Sequence, residues 1–215
     1  MSIVCLLRHG ESTANVNPEY CKNHEQYTTL TELGKEQAKQ VAKDIKYITQ
    51  KYTVGQPTVL TSPYNRTIET TKIIHDTYRE EPLLCEWYTG TAKPYPGLTD
   101  FIDKHDKERR MYDVISPLEY RPPRGESELD VYMRMGMLTE KFNWFQTDGF
   151  FSFFIIVTHG ICCEMLHYYL TGEHENKSGC WPNCEMKIYN IMGRMNIDEL
   201  QCKNKPKLKG DNDIL

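Results

Sequence analysis

The sequence predicts an α/β fold, a three-layer sandwich in which a mostly parallel central sheet lies between helices. Short apolar runs alternate along the chain with longer segments whose apolar residues recur at helical spacing, a pattern typical of such folds. Polar residues stand directly after several of these runs, as expected when parallel strands end at one edge of a sheet. The pattern breaks down around 87–124, where prolines and charges predict an irregular lid insertion.

The first part of the chain predicts strands and helices in alternation. A strand is expected over 2–7, because this continuous apolar run suits a strand covered on both faces. A helix is expected over 31–52, with Thr31 as its N-cap and apolar residues at helical spacing. Residues 58–60 predict a second strand, followed by a helix, and residues 83–86 predict the end of a third strand.

The second part of the chain continues this alternation after the irregular stretch. A short helix is expected within 98–112, and a long helix is marked by apolar residues through 129–145. The strongest strand signal covers 150–158, and a helix over 159–170 follows it. The last strand is expected over 185–191.

Composition fits one soluble globular domain. Of the 215 residues, 39% are hydrophobic and 26% are charged, and we expect a single domain over 1–200 and a disordered tail over 203–215. The net charge of −4 gives no general attraction for nucleic acid or for an anionic membrane. The apolar run over 150–157 is too short to span a bilayer, and the N-terminus lacks a basic signal region, so a cytoplasmic location is expected.

The eight cysteines are expected to be reduced and mostly buried, because several stand inside apolar runs. Cys180 and Cys184, with His167 and His174 upstream, are residue types that bind metals, but their spacing matches no strong zinc pattern. Pro182 between the two cysteines fits a turn equally well. No metal site is expected.

Four polar clusters are predicted to meet at one edge of the sheet. Arg8-His9-Gly10 follows the first strand, and His159-Gly160 follows the strand over 150–158. Thr61-Ser62 follows the second strand, and Glu86 ends the third apolar run. In open α/β sheets the functional site lies beyond the carboxyl ends of the strands.

Such a cluster suits a phosphate group, because a phosphate monoester is a dianion near neutral pH. A pair of unit charges 4 Å apart gains only ~1 kcal/mol in water but ~4 kcal/mol at an effective dielectric of 20, so a partly desolvated cup of several donors is needed. Arg8, Arg66 and His159 can form this cup, since arginine meets two phosphate oxygens at once. Histidine is a nucleophile when one ring nitrogen is unprotonated, a state that adjacent arginines favour.

The two strand–His–Gly motifs together resemble the histidine phosphatase superfamily, in its phosphoglycerate-mutase-like branch. Three further segments resemble signatures of that family: Leu30–Gly34, Thr61–Pro63 with Arg66, and Gly125–Ser127 with Arg134. The resemblance runs from residue 3 to about residue 170. It implies that His9 becomes transiently phosphorylated, that His159 stabilises the transferring group, and that Glu86 protonates the leaving oxygen.

The resemblance also implies a phosphate-binding set and a reaction without metal or organic cofactor. The expected phosphate ligands are Arg8, Arg66, His159, Asn15 and Gly160. Water would hydrolyse the phosphohistidine, with the Glu86 carboxyl now acting as base. In the lid insertion, Arg109, Arg110 and Tyr88 are candidates for contacts with the rest of the substrate.

Hydrolysis of phosphate monoesters is the function that the sequence favours. A phosphoglycerate mutase-type phosphoryl transfer is the first alternative, but signatures of cofactor-dependent mutases are missing around the motifs. A non-catalytic phospho-ligand or protein-binding module on the same fold is the second alternative, although binding alone needs no nucleophile. The expected partner is a phosphorylated small molecule or a phosphoprotein; nothing in the sequence indicates an oligomeric state.

Overall fold

A six-stranded sheet forms the centre of the described structure. The computed structural model describes residues 2–17, 25–51, 55–88, 117–122, 124–145, 151–173, 181–192 and 197–200. The predicted helix within 98–112, most of the lid insertion, the predicted tail over 203–215 and the metal-ligand candidates His174 and Cys180 lie outside these residues.

The sheet is mostly parallel, as predicted. Its strands are β1 (Ser2–Arg8), β2 (Thr58–Thr61), β3 (Arg79–Glu80), β4 (Ser152–Thr158), β5 (Met186–Ile191) and β6 (Ile197–Leu200). They lie in the order β3-β2-β4-β1-β5-β6. The first four run parallel to one another, whereas β5 is antiparallel to β1 and β6 is antiparallel to β5.

Helices cover both faces of the sheet. They are α1 (Thr13–Val16), α2 (Glu32–Lys51), α3 (Asn65–Ile74), α4 (Glu128–Lys141) and α5 (Gly160–Thr171), with short 3-10 turns at Glu25–Tyr27, Pro82–Leu84 and Pro117–Glu119. Helix α2 packs with α3, and α4 packs with α5. Within the described ranges, no helix is both long and apolar enough to cross a membrane.

Two hydrophobic cores follow from the alternation of side chains along the strands. In β1, Ile3, Cys5 and Leu7 pack with α2, whereas Val4 and Leu6 face the core that contains α4 and α5. Both cores contain fully buried side chains. The predicted three-layer α/β sandwich is therefore confirmed.

The structure corrects two predicted element boundaries and adds one strand. Residues 83–86 do not end a strand: β3 stops at Glu80, and Glu81 accepts a hydrogen bond from the Leu83 backbone to begin the 3-10 turn Pro82–Leu84. The helix predicted through 129–145 ends at Lys141, and the chain then turns, with Asn143 in the left-handed conformation. The strand predicted as the last, β5, is followed by β6.

Candidate active site

The register of the sheet places two histidines side by side. In the parallel pair β1–β4, Arg8 lies opposite Thr158, so the next residues are His9 and His159. The His9 backbone N–H donates to the Thr158 carbonyl at 3.0 Å. The centroids of the two imidazole rings are 5.3 Å apart, in an edge-to-face arrangement. The convergence predicted for these two motifs is therefore present in the structure.

A close approach between two backbone segments fixes the turn after His9. A Cβ atom on Gly10 would lie 2.5 Å from the Gly34 carbonyl oxygen, and one on Gly34 would lie 2.0 Å from the Glu11 carbonyl oxygen. Only glycine at both positions lets the turn lie against the start of α2. The Gly10 N–H donates to the Thr70 hydroxyl at 3.1 Å, which also joins the turn to α3.

His9 is held with one ring nitrogen unprotonated. Its Nδ1 lies 2.7 Å from the Gly10 carbonyl oxygen, and its Nε2 lies 3.1 Å from Nε of Arg66. A carbonyl only accepts and a guanidinium only donates, so the proton is on Nδ1 and the lone pair is on Nε2. Burial, and then the positive charges of Arg66 and Arg8, lower the pKa of His9 well below 6.5, against a smaller opposite effect of the Gly10 carbonyl. The imidazole is therefore neutral at pH 7.

Arg66 is buried at the start of α3, where its guanidinium faces the histidines rather than solvent. Besides the contact with His9, its Nη1 donates to the Thr28 hydroxyl at 3.1 Å. The guanidinium carbon also lies 5.1 Å from the centre of the Tyr64 ring, a cation–π distance. These contacts fix the orientation of the guanidinium fork.

His159 is fully buried as the N-cap residue of α5. Its Nε2 lies 2.8 Å from the Ser62 hydroxyl oxygen, and its Nδ1 lies 3.7 Å from Oε2 of Glu86. This Nδ1 has no hydrogen-bond partner among the described residues. Burial, followed by Arg66 and the other nearby positive groups, lowers the pKa of His159 well below 6.5, so this ring is also neutral at pH 7.

Arg8 is anchored by the turn that precedes β5. Its Nη1 donates to the Trp181 carbonyl, and its backbone N–H donates to the Glu185 carbonyl at 3.2 Å. Its Nε is buried and has no hydrogen-bond partner within the described part of the chain. The His9 carbonyl accepts from the Cys184 N–H at 3.1 Å and from the Asn183 side chain at 3.2 Å.

This contribution of the 181–185 turn was not predicted from the sequence. Because β5 is antiparallel to β1, with Met186 opposite Leu7, the start of β5 lies at the edge where the parallel strands end. The turn signal at Pro182 was recognised, but the direction of the following strand, which brings the turn to the site, cannot be read from hydrophobic patterning.

Glu86 stands beside the histidines on a segment without regular structure. Its Oε1 accepts a hydrogen bond of 2.9 Å from the Trp87 backbone N–H, and its side chain is 20% exposed. The carboxyl group thus lies between the buried rings and solvent. Glu86 was predicted at the end of a strand, whereas in the structure it comes shortly after the 3-10 turn Pro82–Leu84.

The remaining predicted site residues are Asn15, Gly160, Tyr88, Arg109 and Arg110. The amide oxygen of Asn15 accepts from the Ser12 N–H at 3.0 Å and the Ser12 hydroxyl at 2.8 Å, so only its amide nitrogen suits the predicted phosphate contact. Gly160 is the first, buried residue of α5. Tyr88 is 56% exposed. Arg109 and Arg110 lie outside the described residues, and among those described no group of three potential metal ligands occurs.

The fold and the paired histidines can be compared with known proteins. The family model of the histidine phosphatase superfamily (branch 1) matches residues 4–197. The chain therefore belongs to the histidine phosphatase superfamily, which confirms the resemblance found in the sequence.

Individual relatives are distant in sequence. A curated protein of Arabidopsis thaliana named phosphoglycerate mutase-like protein AT74H is 24% identical, over 87% of this chain and 73% of that protein. The solved structure of Bacillus stearothermophilus YhfR is 22% identical, with a TM-score of 0.71 over 99% of this chain and 98% of that one. A mycobacterial glucosyl-3-phosphoglycerate phosphatase in complex with inorganic phosphate is 21% identical, with a TM-score of 0.66 over 92% and 94% of the two chains.

Proposed function

We propose that this protein is a phosphatase that hydrolyses phosphate monoesters through a phosphohistidine intermediate on His9. The observation that carries the proposal is the unprotonated Nε2 of His9, buried beside cationic and neutral donors. Two buried nitrogens, Nε of Arg8 and Nδ1 of His159, have no hydrogen-bond partner in the described ranges. The guanidinium N–H of Arg8 can only donate, and leaving such a buried donor unsatisfied costs ~1–3 kcal/mol, which a bound phosphate oxygen would offset.

In the first step, Nε2 of His9 attacks phosphorus as the ester oxygen leaves. A phosphorus–nitrogen bond forms, the phosphorus–oxygen bond breaks, and Glu86 in its protonated form gives its proton to the leaving oxygen. Arg8, Arg66 and His159 stabilise the negative charge on the remaining phosphate oxygens. The attacking ring keeps its Nδ1 proton on the Gly10 carbonyl, which also stabilises the positive charge that develops on the imidazole.

In the second step, water attacks the phosphohistidine and Glu86, now a carboxylate, takes a proton from that water. Inorganic phosphate leaves and His9 regains its lone pair. The 20% exposure of the Glu86 side chain supports access of water to this carboxyl group, as hydrolysis requires. A phosphorylated small molecule is the proposed substrate class, since a mycobacterial phosphatase of the same fold acts on glucosyl-3-phosphoglycerate, as its name states.

The proposal is tested by measuring phosphate release and by acid-labile phosphoenzyme trapping with a ³²P-labelled ester. We expect the wild type to release phosphate and to show a phosphoenzyme after a brief quench, and His9→Ala to show neither. His75→Ala is the matched control, because His75 is a partly exposed histidine at the end of α3, and it should behave as wild type.

Other outcomes separate the alternatives. Equal turnover by His9→Ala and wild type would exclude the phosphohistidine route. Transfer of label to a second phosphoglycerate without release of phosphate would show a mutase. Tight phosphate binding without turnover on any ester would show a binding module.

A further inference from the structure

We propose that Glu126 and Arg134 are positioning residues for the Glu86 carboxyl group. The inference rests on the proposed function, which makes Glu86 the acid and base of the reaction. Glu126 and Arg134 form an ion pair, and together they hydrogen-bond to the chain on both sides of Glu86. We call these two residues the clamp. Neither was given a role from the sequence.

The first half of the clamp is the guanidinium of Arg134 on α4, whose side chain is only 14% exposed. Its Nε and Nη2 donate to the two carboxylate oxygens of Glu126 at 2.9 and 3.0 Å, a two-pronged charged pair. Its Nη1 donates to the carbonyl of Leu83 and, at 3.0 Å, to the carbonyl of Cys85. One side chain therefore joins Glu126 to the residues just before Glu86.

The second half of the clamp is Glu126, which holds the residues just after Glu86. Its Oε2 accepts from the Tyr88 backbone N–H at 3.0 Å, and its own N–H donates to the Tyr88 carbonyl at 2.7 Å. Its backbone carbonyl accepts from the indole N–H of Trp87 at 2.5 Å. The Cys85 carbonyl in addition accepts from the Cys162 thiol at 3.0 Å.

These contacts matter because 85–88 belongs to no helix or strand. A proton donor must lie within hydrogen-bond reach of the oxygen that it serves, and such sites depend on the residues that support them. The Trp87 N–H holds Oε1 of Glu86 at 2.9 Å, which leaves Oε2 towards His159 at 3.7 Å. By fixing Trp87 and Cys85, the clamp determines where this carboxyl group points.

The chain offers a matched control on the same helix. Lys141 of α4 binds the buried carboxylate of Glu81, with Nζ 3.0 and 2.8 Å from its two oxygens. This ion pair also ties α4 to the chain before Glu86, but its hydrogen bonds lie at Glu81 and not within 85–88. Lys141→Met therefore tests the effect of losing an ion pair of α4 while the hydrogen bonds of the clamp to residues 85–88 remain.

The test compares an alkyl phosphate, whose poor leaving group needs a proton, with an aryl phosphate, whose leaving group does not. For Glu86→Gln we expect kcat/KM to fall much more for the alkyl ester. Glu126→Gln and the milder Arg134→Lys should lower kcat/KM for the alkyl ester about tenfold more than for the aryl ester, part of the 10²–10⁴-fold that general acid catalysis contributes. Lys141→Met should change both substrates by the same factor.

A double variant shows whether the clamp acts through Glu86. If it does, adding Glu126→Gln to Glu86→Gln leaves the alkyl-to-aryl ratio where Glu86→Gln alone put it. The proposal would be overturned if Glu126→Gln changed the alkyl-to-aryl ratio as much in the Glu86→Gln variant as it does in the wild type. It would also be overturned if Glu126→Gln and Arg134→Lys each affected the two esters equally.

Failure of the proposed function gives a different result. If Glu86→Gln itself affects both esters equally, Glu86 is not the acid and the clamp has nothing to position. If Glu86→Gln is selective and the clamp variants are not, only the clamp inference is wrong.

Discussion

Nε of Arg66 donates a hydrogen bond of 3.1 Å to Nε2 of His9, so the guanidinium proposed to bind phosphate also covers the proposed nucleophile. A phosphate oxygen is a charged acceptor and attracts a guanidinium N–H more strongly than a neutral imidazole nitrogen does. Binding of a phosphate ester would therefore draw this N–H away and release the lone pair of His9. If the proposed roles hold, substrate binding and activation of the nucleophile would then be one event.

The first prediction concerns Arg66→Gln. A hydrogen bond to a charged group is worth ~1.5–3 kcal/mol, so kcat/KM for an aryl phosphate should fall roughly 10- to 100-fold. The pKa of His9 should rise, since the charge of Arg66 is the largest cause after burial that lowers it. Steady-state kinetics and NMR titration of the His9 ring measure the two effects. Lys72→Gln, at an exposed position of the same helix, should change neither; an unchanged His9 pKa in Arg66→Gln would contradict the electrostatic argument.

The second prediction concerns stability at acid pH. His9 and His159 have pKa values well below 6.5 in the folded state, so below 6.5 the unfolded chain binds protons that the folded chain does not. Stability should therefore fall as the pH drops from 6.5 towards the lowered pKa values. Urea unfolding of wild type and His159→Gln at about pH 7.5 and about pH 5.5 measures this loss. The loss should be smaller in His159→Gln; an equal loss would exclude His159 as a source.

Hydrophobic patterning was enough to predict the elements that carry the paired histidines. The apolar run of β1 and that of β4 are buried on both faces, and such runs are typical of central parallel strands. Once these strands are neighbours, the residue after each must lie at the same edge of the sheet. The proximity of His9 and His159 was therefore predictable without knowledge of any side-chain contact.

Features that depend on tertiary contacts could not be predicted in this way. Pro82 directly after Glu81 allowed a 3-10 turn as readily as a strand, and the hydrogen bond by which the Glu81 side chain caps the turn at the Leu83 N–H is seen only in the structure. The hydrogen bond from Arg134 to the Cys85 carbonyl joins residues that are 49 positions apart. No local pattern reports such a contact, so the support of Glu86 became visible only in the structure.

The third prediction concerns the turn after His9. Gly10→Ala would place a methyl group 2.5 Å from the Gly34 carbonyl oxygen, and because the neighbour is backbone, the turn itself must shift. We expect loss of most phosphatase activity and a lower thermal unfolding midpoint. Gly55→Ala is the matched control, since its Cβ would meet nothing within 4 Å; reduced unfolded-state entropy should leave it as stable as wild type or stabilise it by ~0.4–1 kcal/mol. Wild-type activity of Gly10→Ala would show that the close approach is not needed.

The fourth prediction concerns oxyanion binding by Arg8, whose Nε is buried without a partner in the described structure. Vanadate, an analogue of the transferring phosphoryl group, should raise the thermal unfolding midpoint of the wild type, because a ligand at 100 times its Kd adds ~2.7 kcal/mol of stability. In Arg8→Gln this rise should be much smaller at the same vanadate concentration, since a neutral amide replaces the charged donor. Arg79→Gln, an exposed arginine on the edge strand β3, should respond as wild type does. An equal rise in Arg8→Gln would show that the Arg8 guanidinium donates nothing to the bound oxyanion, and would contradict its proposed role in phosphate binding.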